Sequence, residues 1–243
     1  MSAIRRMCKL FAADYAVNNG PGFDCKQHCL TKCQKYIYTS DKLDLHMSQL
    51  VQSIVTAAQA LPEGGLLSPK EFLHLASRAA VDQALTRLAR EGTLLRIGRG
   101  AYALPVQGRF GTRPPSTQTV VQAIEAASGE MVVPSGAAEA NALGLTTQVP
   151  VREIFLTSGS SRKLRLGNQD VELKHGTPRQ LLMGKRPAGM AIRALAWLGA
   201  ERAPSALKIL HSKLPAAEWE AMRASRAAMP SWMARAFSEI GFV

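Results

Sequence analysis

Past residue 33 the sequence has no cysteine. Past residue 46 it has only two aspartates, Asp82 and Asp170, and three scattered histidines, His74, His175 and His211. Without cysteine the body of the chain has neither a disulfide framework nor a thiol nucleophile. Without clustered carboxylates it cannot hold the paired metals of a nuclease or polymerase, and the lone pair Asp170 and Glu172 reads as solvated surface. No stretch approaches the roughly 18 uninterrupted apolar residues of a membrane span. The N-terminal segment carries Arg5, Arg6 and Lys9 but ends without a small-residue cleavage site, so it does not read as a signal peptide. A soluble, cytoplasmic protein without cofactor or catalytic site is the expectation.

Positive charge is what the chain has in excess. Thirty Lys and Arg face eighteen Asp and Glu, a net charge of +12 with a pI near 10. Such a balance suits a polyanionic partner, because clustered cations displace the counterions condensed on nucleic acid. The excess is uneven. Residues 62–115 hold eight cations and four acids, with seven arginines between Arg78 and Arg113. Residues 116–159 hold only Arg152 against Glu125, Glu130, Glu139 and Glu153, and residues 160–243 hold fourteen cations against six acids.

Residues 1–46 differ from the rest. They contain all four cysteines, Cys8, Cys25, Cys29 and Cys33, and a loop-like Asn18-Asn19-Gly20-Pro21-Gly22. Three cysteines four apart beside His28 would share a helix face, yet the spacing fits neither zinc knuckles nor ferredoxin patterns, so no metal is expected. A disordered extension, or a start codon placed upstream of Met47, accounts for the segment.

Residues 47–109 read as a winged helix-turn-helix. Leu50, Val51, Ile54, Val55, Ala58 and Leu61 recur at helical spacing until Pro62-Glu63-Gly64-Gly65. Ser68-Pro69-Lys70-Glu71 forms a capping box for a short second helix through Phe72, Leu73, Leu75 and Ala76. Ser77 caps a third, with Ala80, Val81, Ala84, Leu85 and Leu88 inside. Its opposite face carries Ala79, Gln83, Thr86, Arg87 and Arg90, where a small residue permits close approach and Gln and Arg can read base edges; with Ser77 and Arg78 at the helix start these are the candidate DNA contacts. Thr93–Ile97, Gly98-Arg99-Gly100 and Ala101–Leu104 make a strand, a turn and a strand, as a wing requires. Arg96, Arg99, Arg109 and Arg113 are candidate phosphate contacts, and Tyr102 is expected to pack the hairpin. Phe110-Gly111-Thr112-Arg113-Pro114-Pro115 reads as a stiff linker.

Residues 116–243 read as an α+β domain with a helical C-terminal region. Strands at 131–133 and 153–157 flank a helix through Ala137–Leu143. A hairpin turns at Gly167-Asn168, and helices follow at 188–198, 204–213, 215–226 and 230–240. Thr157–Lys163 lacks the Gly-Lys-Ser/Thr ending of a phosphate loop. Arg162, Lys163, Arg165 and Lys174 make a possible second basic patch, with Lys163 and Arg165 expected to lie across from Lys174. The stripe Leu195, Trp197, Leu198, Trp219, Met222, Met229, Trp232, Met233 and Phe237 is either inter-helix core or a partner groove.

Pro134-Ser135-Gly136-Ala137, Asn141 through Pro150, and Phe155-Leu156-Thr157-Ser158-Gly159, with Gly98–Tyr102 in the wing, resemble the AbiEi-like antitoxin family. The resemblance covers about residues 47–210. It implies a bacterial transcriptional regulator of type IV toxin–antitoxin and phage-defence systems, with a winged helix that binds operator DNA. The implied partners are double-stranded DNA at its own promoter, with inverted repeats met by a homodimer or by monomers on paired half-sites, and a nucleotidyltransferase-like toxin encoded next door. The alternative is a protein-binding antitoxin or defence component whose C-terminal region engages a partner, with DNA binding secondary.

Overall fold

The structure, a computed structural model, describes residues 48–239. The readings on residues 1–46, the cysteine cluster included, lie outside the described residues. Helix α1 (48–60) buries Leu50, Ile54 and Ala58. The two-residue strand β1 (Leu66–Leu67) follows. The capping box forms as its spacing requires: the Ser68 hydroxyl accepts from the Lys70 N–H at 3.4 Å and the Ser68 N–H donates to Glu71 at 2.8 Å. The element it opens is a single 3-10 stretch, Pro69–Phe72, followed by a turn through Leu75, not the longer second helix expected. Ser68 and Ser77 both start helices, and the interval between them holds one turn and a reversal but no full α-helix.

Helix α2 (Arg78–Arg90) is capped by Ser77, whose hydroxyl accepts from the Ala80 N–H, and it buries Val81, Ala84, Leu85 and Leu88. These join Leu50, Ile54, Phe72 and Tyr102 in one core. Strands β2 (Leu95–Gly98) and β3 (Ala101–Ala103) form an antiparallel hairpin, and β1 adds to the far side of β3.

The expected linker is instead a second hairpin. Strands β4 (Val106–Gly108) and β5 (Gly111–Arg113) pair antiparallel, with Val106 opposite Arg113 and Arg109-Phe110 as the two-residue turn. Extended conformation at Gly111–Arg113 satisfies backbone groups that a free linker would leave to water. Only Pro114-Pro115 remains as the stiff connection.

Helix α3 (Thr117–Ser128) and α4 (Gly136–Ala142) accompany a second sheet of β6 (Val132–Pro134), β7 (Glu153–Thr157), β8 (Arg162–Leu166) and β9 (Gln169–His175). Its order is β6-β7-β9-β8, with β7 and β9 parallel and the other pairs antiparallel. The whole is thus a mixed α+β fold. Edge strand β2 of the first sheet runs alongside edge strand β8 of the second. Ile97 and Ala103 accordingly share a core with Val120, Ile124, Leu164, Leu166, Val171 and Leu173. Strands β2 and β8 stay in separate ladders, yet their proximity shields each from an outside strand.

Among the described residues four helices come last: α5 (Pro187–Leu198), α6 (Ala203–Lys213), α7 (Ala216–Ala224) and α8 (Ser231–Glu239), with a 3-10 turn Ser225–Ala228 before the last. The Trp and Met stripe resolves into core. Leu195, Trp219, Met222, Met229, Met233 and Phe237 are buried together, with Leu198 and Trp232 packed against them. The Trp219 and Phe237 rings stand 5.5 Å apart. Of that stripe, only Trp197 is exposed, at 42%.

Candidate nucleic-acid interface

Helix α2 turns its polar residues outward because its apolar residues recur at three and four positions and face α1. Ser77, Arg78, Ala79, Gln83, Arg87 and Arg90 are exposed and Thr86 is half-buried. Their chemistry is not equal. Arg78 pairs with Asp82 and Arg87 with Glu91, each at 2.8 Å and one turn away. The Thr86 hydroxyl donates to the Asp82 carbonyl at 2.7 Å, which leaves it no free proton for a partner. Among the described residues Arg90 has no ion-pair partner, and Gln83 forms no side-chain hydrogen bond. The exposed helical pairs of Arg78 and Arg87 are weak enough for an outside anion to displace.

The β2–β3 hairpin carries Arg96 on its exposed side, opposite Tyr102 in register, and Tyr102 is buried against the helices. Arg99 stands in the turn. Gly100 has φ 68°, so the turn uses glycine there for its left-handed backbone. Gly98 is not in that region. It lies where β8 passes, and a methyl group on it would reach Leu164 at 3.6 Å. Arg96, Arg99 and Arg109 form no ion pair among the described residues, whereas Arg113 is held by Glu63 at 3.1 Å. A sequence signal that would have joined these elements is that no Asp or Glu occurs from Gly92 through Ile124, a segment with four arginines. Both hairpins lie inside it.

In β8, Leu164 and Leu166 are buried while Lys163 and Arg165 are exposed. Leu164 and Leu166 share their core with Ile97, and strand alternation sends Arg96, Lys163 and Arg165 to the outer side. The expected opposition to Lys174 is not what the register gives. Lys163 faces Glu172 and Arg165 faces Asp170, because the two-residue turn at Gly167-Asn168 fixes the pairing. Glu172 stands 3.8 Å from Lys163 and 3.5 Å from Lys174, so it holds both. Arg162 does not belong to an open patch either. Its guanidinium grips Glu130 through two bonds, at 2.7 and 3.1 Å, and Thr157 adds a hydroxyl to the same carboxylate at 2.9 Å. The Arg162 bonds hold the Glu130 carboxyl below its ordinary value.

The acidic middle segment proves to be the internal counter-charge of the C-terminal cations. Glu125 pairs with Lys185, Glu130 with Arg162 and Glu139 with Arg193. The last pair is buried between α4 and α5, with two 2.7 Å bonds. Burial pushes the Glu139 carboxyl up to about 7 against the opposing pull of Arg193. Arg186 is likewise held by Glu218 at 2.9 Å. Seven of the fourteen cations in residues 160–243 are thus ion-paired within the protein. On α2 and the two hairpins, Arg90, Arg96, Arg99 and Arg109 have no ion pair among the described residues, and six further arginines outside those elements have none either.

The motif residues of the second sheet have structural duties. The Asn141 amide donates to the carbonyls of Thr146 at 3.4 Å and Gln148 at 3.1 Å, which pins the loop after α4. The Ser158 hydroxyl accepts from the Met131 N–H at 3.0 Å. Among the described residues, no three His, Cys, Asp or Glu side chains gather to hold a metal, and no helix is long and apolar enough to cross a membrane.

Residues 53–212 match a family described as a family of unknown function, DUF6088. Neither a curated protein nor a solved structure matches the chain.

Proposed function

Since the chain belongs to the DUF6088 family, we propose a function from its own surface: a winged helix-turn-helix over residues 47–109 binds duplex DNA. The protein is then a transcriptional regulator that represses its own promoter, the antitoxin of a type IV toxin–antitoxin pair. The observation that carries this reading is that Arg90 on an exposed helix and Arg96 and Arg99 on the hairpin that follows it have no ion pair among the described residues, the last two in a segment empty of acids. A helix with Gln83 and Arg90 at its surface suits the major groove, and a hairpin tipped by Arg99 suits the backbone. The antitoxin assignment rests on the motifs around Pro134 and Phe155. The neighbouring reading frame should then encode a nucleotidyltransferase-like protein, and inverted repeats should lie upstream.

The test uses the full chain and duplex DNA from the region upstream of its own reading frame. Arg99→Ala should weaken binding to this and to random duplex alike and lower the salt slope by about one unit. Arg90→Ala should weaken the cognate site more than random DNA if it reads a base. An absence of binding to either duplex at low salt overturns the assignment.

A second reading has one observation in its favour. The loop that Asn141 pins presents Val149 and Val151, 75% and 100% exposed, on the C-terminal part. A held loop with two bare valines suits a protein partner. Val149→Ser with Val151→Ser should then abolish neutralisation of the neighbouring toxin and leave DNA affinity unchanged, as measured by co-expression growth and by gel retardation.

A further inference from the structure

The β4–β5 hairpin ends in a side chain that the fold does not use. Phe110 is 104% exposed, so its ring touches essentially nothing, although a phenylalanine normally buries some 150–250 Å². The hairpin beneath it is well anchored. Arg113 bonds Glu63 at 3.1 Å, Thr112 donates to Gln107 at 3.0 Å, Pro115 is buried, and Pro114 lies against Gly167 of the β8–β9 turn. A rigid mount with an unburied aromatic tip is preorganised for something outside the chain.

Composition identifies that partner's chemistry. The turn is Arg109-Phe110, Arg109 has no ion pair among the described residues, and the hairpin belongs to the acid-free stretch from Gly92 through Ile124. Gly108 and Gly111 flank the turn, so only the Arg109 and Phe110 side chains widen the tip. Paired backbones about 4.8 Å apart are too broad to sink into a minor groove about 6 Å wide, but the two side chains projecting from the tip can reach into it. The groove's negative potential attracts an inserted arginine, and an apolar side chain can wedge between base steps and bend the duplex.

We propose that the Arg109-Phe110 tip enters the minor groove of bound duplex DNA, Arg109 lying in the groove and Phe110 wedging a base step. The proposal deepens the DNA-binding reading and rests on it. The hairpin is thus a second DNA-contacting arm, distinct from the one that carries Arg99, and binding bends the duplex.

The experiment uses the full chain and a duplex of about 30 base pairs from its upstream region, with 2-aminopurine at pyrimidine–purine steps and a dye pair at the ends. Wild type should raise the 2-aminopurine fluorescence and shorten the end-to-end distance. Phe110→Ala should lose both signals and about tenfold in affinity, as expected for one lost stacking contact. Phe110→Leu, which keeps an apolar wedge, should retain the bend. A Phe110→Ala protein that binds and bends DNA as wild type does overturns the arm. The arm is equally overturned if the substitution changes only the sedimentation of the free protein, because the tip then contacts a second copy. Wild-type protein that binds no duplex overturns the DNA reading itself, which is a different result.

Discussion

Glu139→Met should destabilise the full chain by about 3–5 kcal/mol, and by more than Arg193→Met. The two side chains are 1% and 2% exposed, and each of the two bonds between them is 2.7 Å long. Removing the carboxylate strands a guanidinium that cannot give up its proton, and its Nη1 already has no acceptor. Removing the guanidinium strands a carboxyl that can escape its charge by taking up a proton. The double substitution to methionine leaves no buried charge and should recover most of the loss, a coupling that urea denaturation in a double-mutant cycle would measure. Greater loss in Arg193→Met than in Glu139→Met would refute the argument.

The same pair fixes a pH dependence. Burial raises the Glu139 carboxyl from its ordinary 4.5 to about 7 in the folded chain. Between those values the folded state holds a proton that the unfolded chain has released. The contribution is therefore complete below about pH 4.5 and is lost as pH rises through about 7. Stability should fall over that window in the wild type, and Glu139→Gln, which cannot titrate, should remove that part of the slope.

Elements governed by local chemistry were legible in the sequence. The capping box at Ser68, the inner stripe of α2 and the turn at Gly167-Asn168 each depend on residues within one or two turns of each other. What escaped depends on distance or brevity. Strand β1 is two leucines, too short to show alternation, and exists because β3 offers it an edge. The β4–β5 hairpin has three-residue strands, and its Gly, Arg and Pro content resembles a linker. The partners Glu139 and Arg193 lie on separate helices, where each alone looks like a solvent-facing charge in a helical pattern. Charge pairing escaped for the same reason: counting charge by segment cannot reveal that Glu125, Glu130 and Glu139 are matched by cations far along the chain. The candidate interface was legible as residues on a helix face and a turn. Which arginines remain unpaired became visible only with the ion pairs placed.

Gly136→Ala should cost stability where most helical Gly→Ala changes add it. Alanine is favoured over glycine inside a helix by roughly 1 kcal/mol. Gly136 opens α4 against the middle of α5, and a methyl group there would run into the Arg193 carbonyl oxygen and stand 2.8 Å from the Trp197 Cβ. The carbonyl is backbone and cannot rotate away, so α4 and α5 must part. Overpacking of this kind costs about 1–3 kcal/mol. Gly136 lies one turn before Glu139 on the same helix face, so separation also draws the carboxylate from Arg193. The loss should therefore exceed the packing term alone in the wild type. It should shrink in the Glu139→Met, Arg193→Met background, where no buried ion pair is left to stretch. Gly98→Ala is the matching control, because its methyl group meets Leu164 at an ordinary 3.6 Å, and it should shift thermal unfolding little. Equal destabilisation by Gly136→Ala in both backgrounds would mean that helix spacing and the ion pair are independent.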